Sequence, residues 1–180
     1  MHPDLKNRFL TLEEKKNFYV KFIGNHSVEQ LNYSQGEEWN LAEVMDHVIK
    51  VEAQTLHFVK GFDFSRKDEK LGIIAAINSL LLKIALKSPL KFKVPTKVVI
   101  PETKSREVLL AEWKKLRKEM EAFLNSFPAS KMHNFIFFHP RSGKLNISQT
   151  LAFLIAHMDH HNLQLKKISN YKDFPTATEI

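Results

Sequence analysis

His157 and His161 lie four residues apart in the stretch LNISQTLAFLIAHMDHHNLQLKKIS, residues 145 to 169. On a helix this spacing sets two imidazoles on one face, about 6 Å apart, as H-x-x-x-H helices do when they offer two nitrogens to one metal ion. Two ligands from one helix do not close a site. A third must come from elsewhere in the chain, and the best candidate is His47. Neutral imidazoles suit zinc, nickel, copper or iron(II). Three protein ligands leave positions for water or substrate, which marks a reactive rather than a structural centre. Water held there would be acidified toward neutrality, or a thiol would replace it and ionise. Protons are expected to compete for the same nitrogens as pH falls below the free-histidine value of about 6.5.

The elements that position these groups are helical. Asn146 as N-cap and Gln149 behind it open a helix whose apolar residues Ile147, Leu151, Leu154, Met158, Leu165 and Ile168 recur at the spacing of a buried stripe. His161 fills the gap in that stripe, whereas His160 turns toward the flank, since consecutive residues diverge by about 100°. Gln164 shares the face of His157 and His161, where it can orient a ligand or substrate or cap a polar gap. Asn40 and Glu43 form a second capping box, opening a helix with the inner stripe Leu41, Val44, Val48, Val51, Thr55 and Phe58, and Gly61 as its stop. His47 sits at the edge of this stripe. Glu43, one turn earlier, can either fix the imidazole's tautomer or serve only as a capping residue.

The rest of the chain reads as scaffold. Apolar spacing from Leu12 to about Asn32 predicts a first helix, loosened near Gly24. Leu71 to Leu86 is apolar around so much of its circumference that it should be a short buried helix. Pro89, Pro95 and Pro101 forbid a helix through SPLKFKVPTKVVIPET, which reads as an extended crossover passing near the mouth of the site. Thr103 or Ser105 caps a helix through Phe127, with Val108, Leu109, Trp113, Leu116, Met120, Phe123 and Leu124 inward and KKLRKE facing water. FIFF, residues 135 to 138, could form a short strand, but isolated strands are marginal, and an apolar loop or turn packed on the bundle is preferred. His2, His26, His57, His133 and His139 lack ligand spacing and read as surface or hydrogen-bonded residues.

Composition narrows the class. The 180 residues fit one domain, 1–180, and contain no cysteine, which excludes disulfides, thiolate metal sites and a cysteine nucleophile. Thiol chemistry would need a thiol from outside. The N-terminus carries charges where a secretory apolar region would sit, and no apolar run approaches the ~20 residues of a membrane span, so a soluble cytoplasmic protein with no membrane partner is expected. The formal net charge is +7. Its lysines are spread over the polar faces of several helices, which argues against a nucleic-acid patch.

WNLAEVMDHV, then HPRSG, then LAFLIAHMDHHNLQLKKI, in that order and at these separations, resemble the DinB/YfiT-like superfamily of metalloenzymes, over roughly Leu12 to Ile168. The closing H-x-x-x-H-x-x-Q is the most specific part. The resemblance implies an all-α four-helix bundle with a three-histidine site, with His47, His157 and His161 as ligands and Gln164 as the polar residue that often follows. Ser142 stands where an aromatic often precedes the glycine of HPxxG, and His160 where a basic residue is common. These departures bear on substrate contacts rather than on the metal. Polymerase activity does not follow from the family's label.

The expected architecture is therefore an up-down-down-up bundle of four main helices with one additional short buried helix and a divalent metal in a cleft at one end. Zinc or nickel comes ahead of iron or manganese. The expected function is hydrolysis, or S-transfer from an exogenous low-molecular-weight thiol, on a small electrophilic substrate, in a monomer or homodimer. Glu43, His160 and Gln164 are the candidates for catalytic roles beside the metal. The rival is a noncatalytic stress-response or binding protein whose metal is structural or absent.

Overall fold

The computed structural model describes residues 1–63, 71, 99–140 and 142–176. Helix α1 spans Pro3–Gly24 and so begins well ahead of Leu12. Proline at the first helical position sacrifices only an N–H that has no partner there anyway. The His2 Nδ1 accepts the Asp4 N–H at 3.3 Å. The helix also stops earlier than the apolar pattern suggests. The chain turns at Asn25, and Ser27 with Gln30 builds a capping box that starts a separate short helix, α2, Val28–Asn32.

Helix α3, Leu41–Lys60, is bounded as its caps dictate, with the Asn40 and Glu43 box at one end and Gly61 at the other. Leu41, Val44, Val48 and Thr55 are buried on it, but Phe58 is 61% exposed, and Leu56 and Val59 take the inward positions of the last turns. Ser105 caps α4, Arg106–Ser126, which buries Leu109, Trp113, Leu116, Met120 and Leu124. Val108 in its first turn is 45% exposed. The larger correction concerns the charged run 114–119, expected at the surface. Arg117 from that run is only 3% exposed. Its guanidinium lies 2.7 Å from the carboxylate of Glu52, which is fully enclosed and also accepts the Trp113 indole N–H at 2.9 Å. Arg117 stands one turn beyond Trp113, on the inner flank of the same face, so geometry overrides its charge.

Residues 137–139 form a strand rather than the expected loop. β1, Phe137–His139, pairs antiparallel with β2, Gly143–Leu145, in register Phe137 to Leu145 and His139 to Gly143. Gly143 takes the positive φ of 71° at the start of the return strand. The hairpin is stable because it is not isolated: Phe137 packs on Phe58 of α3 and stacks on Phe153. Asn146 and Gln149 then cap α5, Ile147–Ile168.

The four long helices close a ring in which α1 touches α4 and α5, and α3 touches α4 and α5. Directions follow from the contacts. Arg8 meets Ser148 and Lys15 meets Asp159, so α1 and α5 are parallel. Glu13 faces Arg117 while Tyr19 meets the ring of Trp113, so α1 and α4 are antiparallel. Glu52 pairs with Arg117 and Lys60 with Glu119, so α3 and α4 are parallel. The result is an up-down-down-up bundle. The helix expected from Leu71 to Leu86 lies outside the described residues except for Leu71, whose N–H bonds to the His133 carbonyl at 3.2 Å. Of the crossover, Val99 onward is described.

Candidate metal centre

The α5 register sets His157 and His161 on one face, with their Nε2 atoms 3.1 Å apart. Helix α3, packed against α5, delivers the imidazole of His47 to the same place, with ring centroids 5.2 Å from His157 and 4.8 Å from His161. All three side chains are buried. One nitrogen from each lies within 4.8 Å of the others, and this is the one such group of three or more potential metal ligands among the described residues.

Hydrogen bonding decides which nitrogens face inward. His47 Nδ1 is 3.0 Å from the Val99 carbonyl, which can only accept, so Nδ1 carries the proton and Nε2 keeps its lone pair. His161 Nδ1 donates to the Gln164 side-chain oxygen at 2.8 Å, which leaves its Nε2 bare as well. The His157 Nδ1 is buried without a hydrogen-bond partner among the described residues. Two nitrogens on a tetrahedral ion with bonds of about 2.0–2.1 Å stand about 3.3–3.4 Å apart. The Nε2 pair of His157 and His161 is close to that separation. The donor set therefore fits a divalent cation, and it does so with the second ring nitrogen of two ligands already tied down, the usual support of a metal-bound histidine.

Electrostatics agree. Burial pushes the pKa of His47 below its ordinary value, against the pull of the Val99 carbonyl and Asp46. Burial, reinforced by the neighbouring His161 and His47, takes His157 well below it. Burial and then His47 bring His161 down to about 3, with Gln164 opposing. All three imidazoles are thus neutral at pH 7, the state in which they can ligate.

Flat aromatic groups border the cluster. Trp39 packs on His47 with centroids 4.8 Å apart and lies nearly parallel to His161 at 6.4 Å. Phe153 is 5.7 Å from His157, and His139 tilts against Phe153 at 4.5 Å. His139 lacked ligand spacing in the sequence. It reaches this rim through the hairpin, where the Ser142 N–H donates to its Nδ1 at 3.1 Å. The other candidates separate by what they touch. Glu43 caps α3 by accepting the Asn40 N–H at 2.9 Å and takes the Thr103 hydroxyl at 3.3 Å, while the partner of His47 Nδ1 is Val99. His160 is half-buried on the flank, its ring 5.0 Å from that of His161. His57 lies exposed against Phe58, and His26 bonds to the Phe22 carbonyl.

The described end of the crossover does reach the site, since Val99 supplies the carbonyl on His47. No side-chain pattern announces a backbone carbonyl, so this contact could not be read from the sequence. Among the described residues no helix is long and apolar enough to cross a membrane. A family model described as the DinB superfamily matches residues 11–165. No curated protein and no solved structure matches the chain.

Proposed function

The chain belongs to the DinB superfamily, and on that premise we propose that it is a metal-dependent enzyme in which His47, His157 and His161 hold one divalent cation, zinc or nickel. Its chemistry is hydrolysis or thiol-dependent S-transfer on a small electrophilic substrate. The convergence of three buried neutral imidazoles, two of them pinned with Nε2 unprotonated, carries this reading. A cation held there supplies the acidity that turns water or a thiol into a nucleophile near neutral pH. Val99 and Gln164 orient two of the ligands, and Trp39 and Phe153 exclude water and offer flat apolar walls to the body of a substrate. Glu43, His160 and Gln164 are the candidates for roles beside the metal, with Glu43 also capping α3 and Gln164 also holding His161. The same reading takes the chain as a single cytoplasmic domain, alone or as a homodimer.

The test is metal analysis of protein purified without a histidine tag. Near-stoichiometric metal is expected, and a metal-free protein that refuses both zinc and nickel would overturn the reading. The cobalt form then separates the two chemistries. Because the chain has no cysteine, a charge-transfer band on adding a cellular thiol reports sulfur from outside and favours S-transfer. An unchanged spectrum together with turnover of esters or amides favours hydrolysis.

A further inference from the structure

Residues 99–104 form a strap along α3, held by side chains from one face of that helix. His47 donates to the Val99 carbonyl at 3.0 Å. One turn along, Lys50 donates to the Ile100 carbonyl at 3.2 Å and to the Glu102 carboxylate at 2.9 Å. Glu43 takes the Thr103 hydroxyl. Between them Asp46, fully buried, accepts the Glu102 backbone N–H at 2.7 Å. The Asp46 carboxylate also meets the ammonium groups of Lys50 at 2.9 Å and Lys104 at 3.1 Å, and Lys104 reaches on to Glu112 of α4. A carboxylate sealed from water needs compensating partners, and here Oδ2 takes the Glu102 N–H and Lys50 while Oδ1 makes no hydrogen bond among the described residues and is met only by the Lys104 ammonium as an ion pair. The Asp46 partners either belong to the strap or, as with Lys50, grip it. Pro101, buried in the strap, has no N–H to satisfy and a fixed φ, so the span from Glu102 back to Val99 is short and stiff.

We infer that Asp46 is a positioning residue for the metal centre. By holding the Glu102 N–H it registers the Val99 carbonyl on His47 Nδ1, fixes the tautomer that leaves Nε2 bare, and sets metal affinity without touching the metal. This rests on the proposal that the triad holds a divalent cation, but its first step, the tautomer, exists in metal-free protein. The partner of a ligating histidine's second nitrogen is typically worth about 10- to 100-fold in metal affinity.

The test compares wild type with Asp46→Ala and Asp46→Asn. Nitrogen–proton correlation spectra of the imidazole rings, taken on metal-free protein near neutral pH, report the His47 tautomer, with His161, tied to Gln164, as internal standard. Zinc affinity is then measured by competition with a chromophoric chelator. Asp46→Ala is expected to move His47 toward the Nε2–H form, leave His161 unchanged and weaken zinc binding about 10- to 100-fold. Asp46→Asn, whose amide oxygen can still accept the Glu102 N–H, is expected to keep the His47 tautomer and most of the affinity. If circular dichroism shows that Asp46→Ala does not fold, Glu102→Pro removes the same N–H from the strap side and is read in its place. A variant lacking the Asp46 contact with wild-type His47 tautomer and wild-type zinc affinity overturns the inference. Wild-type protein that binds no zinc sinks the metal reading alone, and the tautomer in metal-free variants still supports or overturns the positioning role.

Discussion

His160 and His161 are adjacent in the chain, yet only His161 turns its Nε2 to that of His157, while His160 stays on the half-buried flank of α5. His161→Ala should therefore lose bound metal by more than the roughly 10- to 100-fold that removal of a supporting residue costs. His160→Ala should keep its metal and alter at most turnover or substrate preference. Metal content measured on both variants checks this, and a His160→Ala protein that comes out empty while His161→Ala stays filled would sink the ligand assignment. At this scale the i, i+4 pair and the edge position of His47 were legible, because side-chain spacing on a helix is a property of the sequence. The tautomers were not. The His47 partner is a backbone carbonyl 52 residues away in the chain, and Glu43, which looked able to serve, spends its carboxylate on the N-terminus of α3.

Elements show the same division between local signals and tertiary ones. The boxes at Asn40 with Glu43 and Asn146 with Gln149 marked the starts of α3 and α5, since a cap is a contact within four residues. The hairpin at 137–145 escaped because its stability comes from Phe58 and Phe153 on two helices rather than from its own strands. Arg117 escaped because a charged run normally faces water. Its pairing with Glu52 joins α4 to α3 inside the bundle. Burial raises the Glu52 pKa, and the Arg117 guanidinium and the Trp113 N–H oppose that rise. Removing one partner leaves the other charge enclosed and unpaired, so Arg117→Met should destabilise the protein by about 3–5 kcal/mol in urea unfolding. Adding Glu52→Gln, which keeps an acceptor for Trp113, should recover much of that loss. An Arg117→Met protein within about 0.5 kcal/mol of wild type, the range of an ordinary surface change, would show that the pair contributes little.

For the whole molecule, the up-down-down-up order was readable because a proline-broken segment too long for a tight turn precedes α4 and lets it run parallel to α3. The consequence of packing three histidines inside that bundle was not readable, because it depends on burial. The sequence suggests that protons displace metal as pH falls through about 6.5, but in the folded protein burial holds His47 below that value, His157 well below it, and His161 at about 3. The unfolded chain keeps the ordinary value. Below about pH 6.5 the unfolded state therefore binds protons that the native state refuses, and stability falls as pH falls, by up to about 1.4 kcal/mol per pH unit for each histidine kept neutral. For His161 alone this approaches about 3 kcal/mol two units below 6.5, a large part of a typical net stability of about 5–15 kcal/mol. Asp46 also has a lowered native pKa, because the Glu102 N–H and the two lysines outweigh its burial, but its contribution fades only as pH falls through the carboxylate range. Between those ranges the buried histidines lower stability as pH falls, opposed in part by Glu52, whose burial-raised pKa lets the native state take up its proton ahead of the unfolded one. Acid should therefore release metal by unfolding the bundle rather than by titrating a folded site. The metal-loaded protein should resist to lower pH, by about 2.7 kcal/mol when free metal is about 100 times its Kd. Helicity by circular dichroism and metal release by a chromophoric chelator, followed together from neutral pH downward, should fall at the same pH. Metal lost near pH 6 from a protein whose helicity is unchanged would mean that the three imidazoles take protons in the folded state, and that burial does not govern their charge.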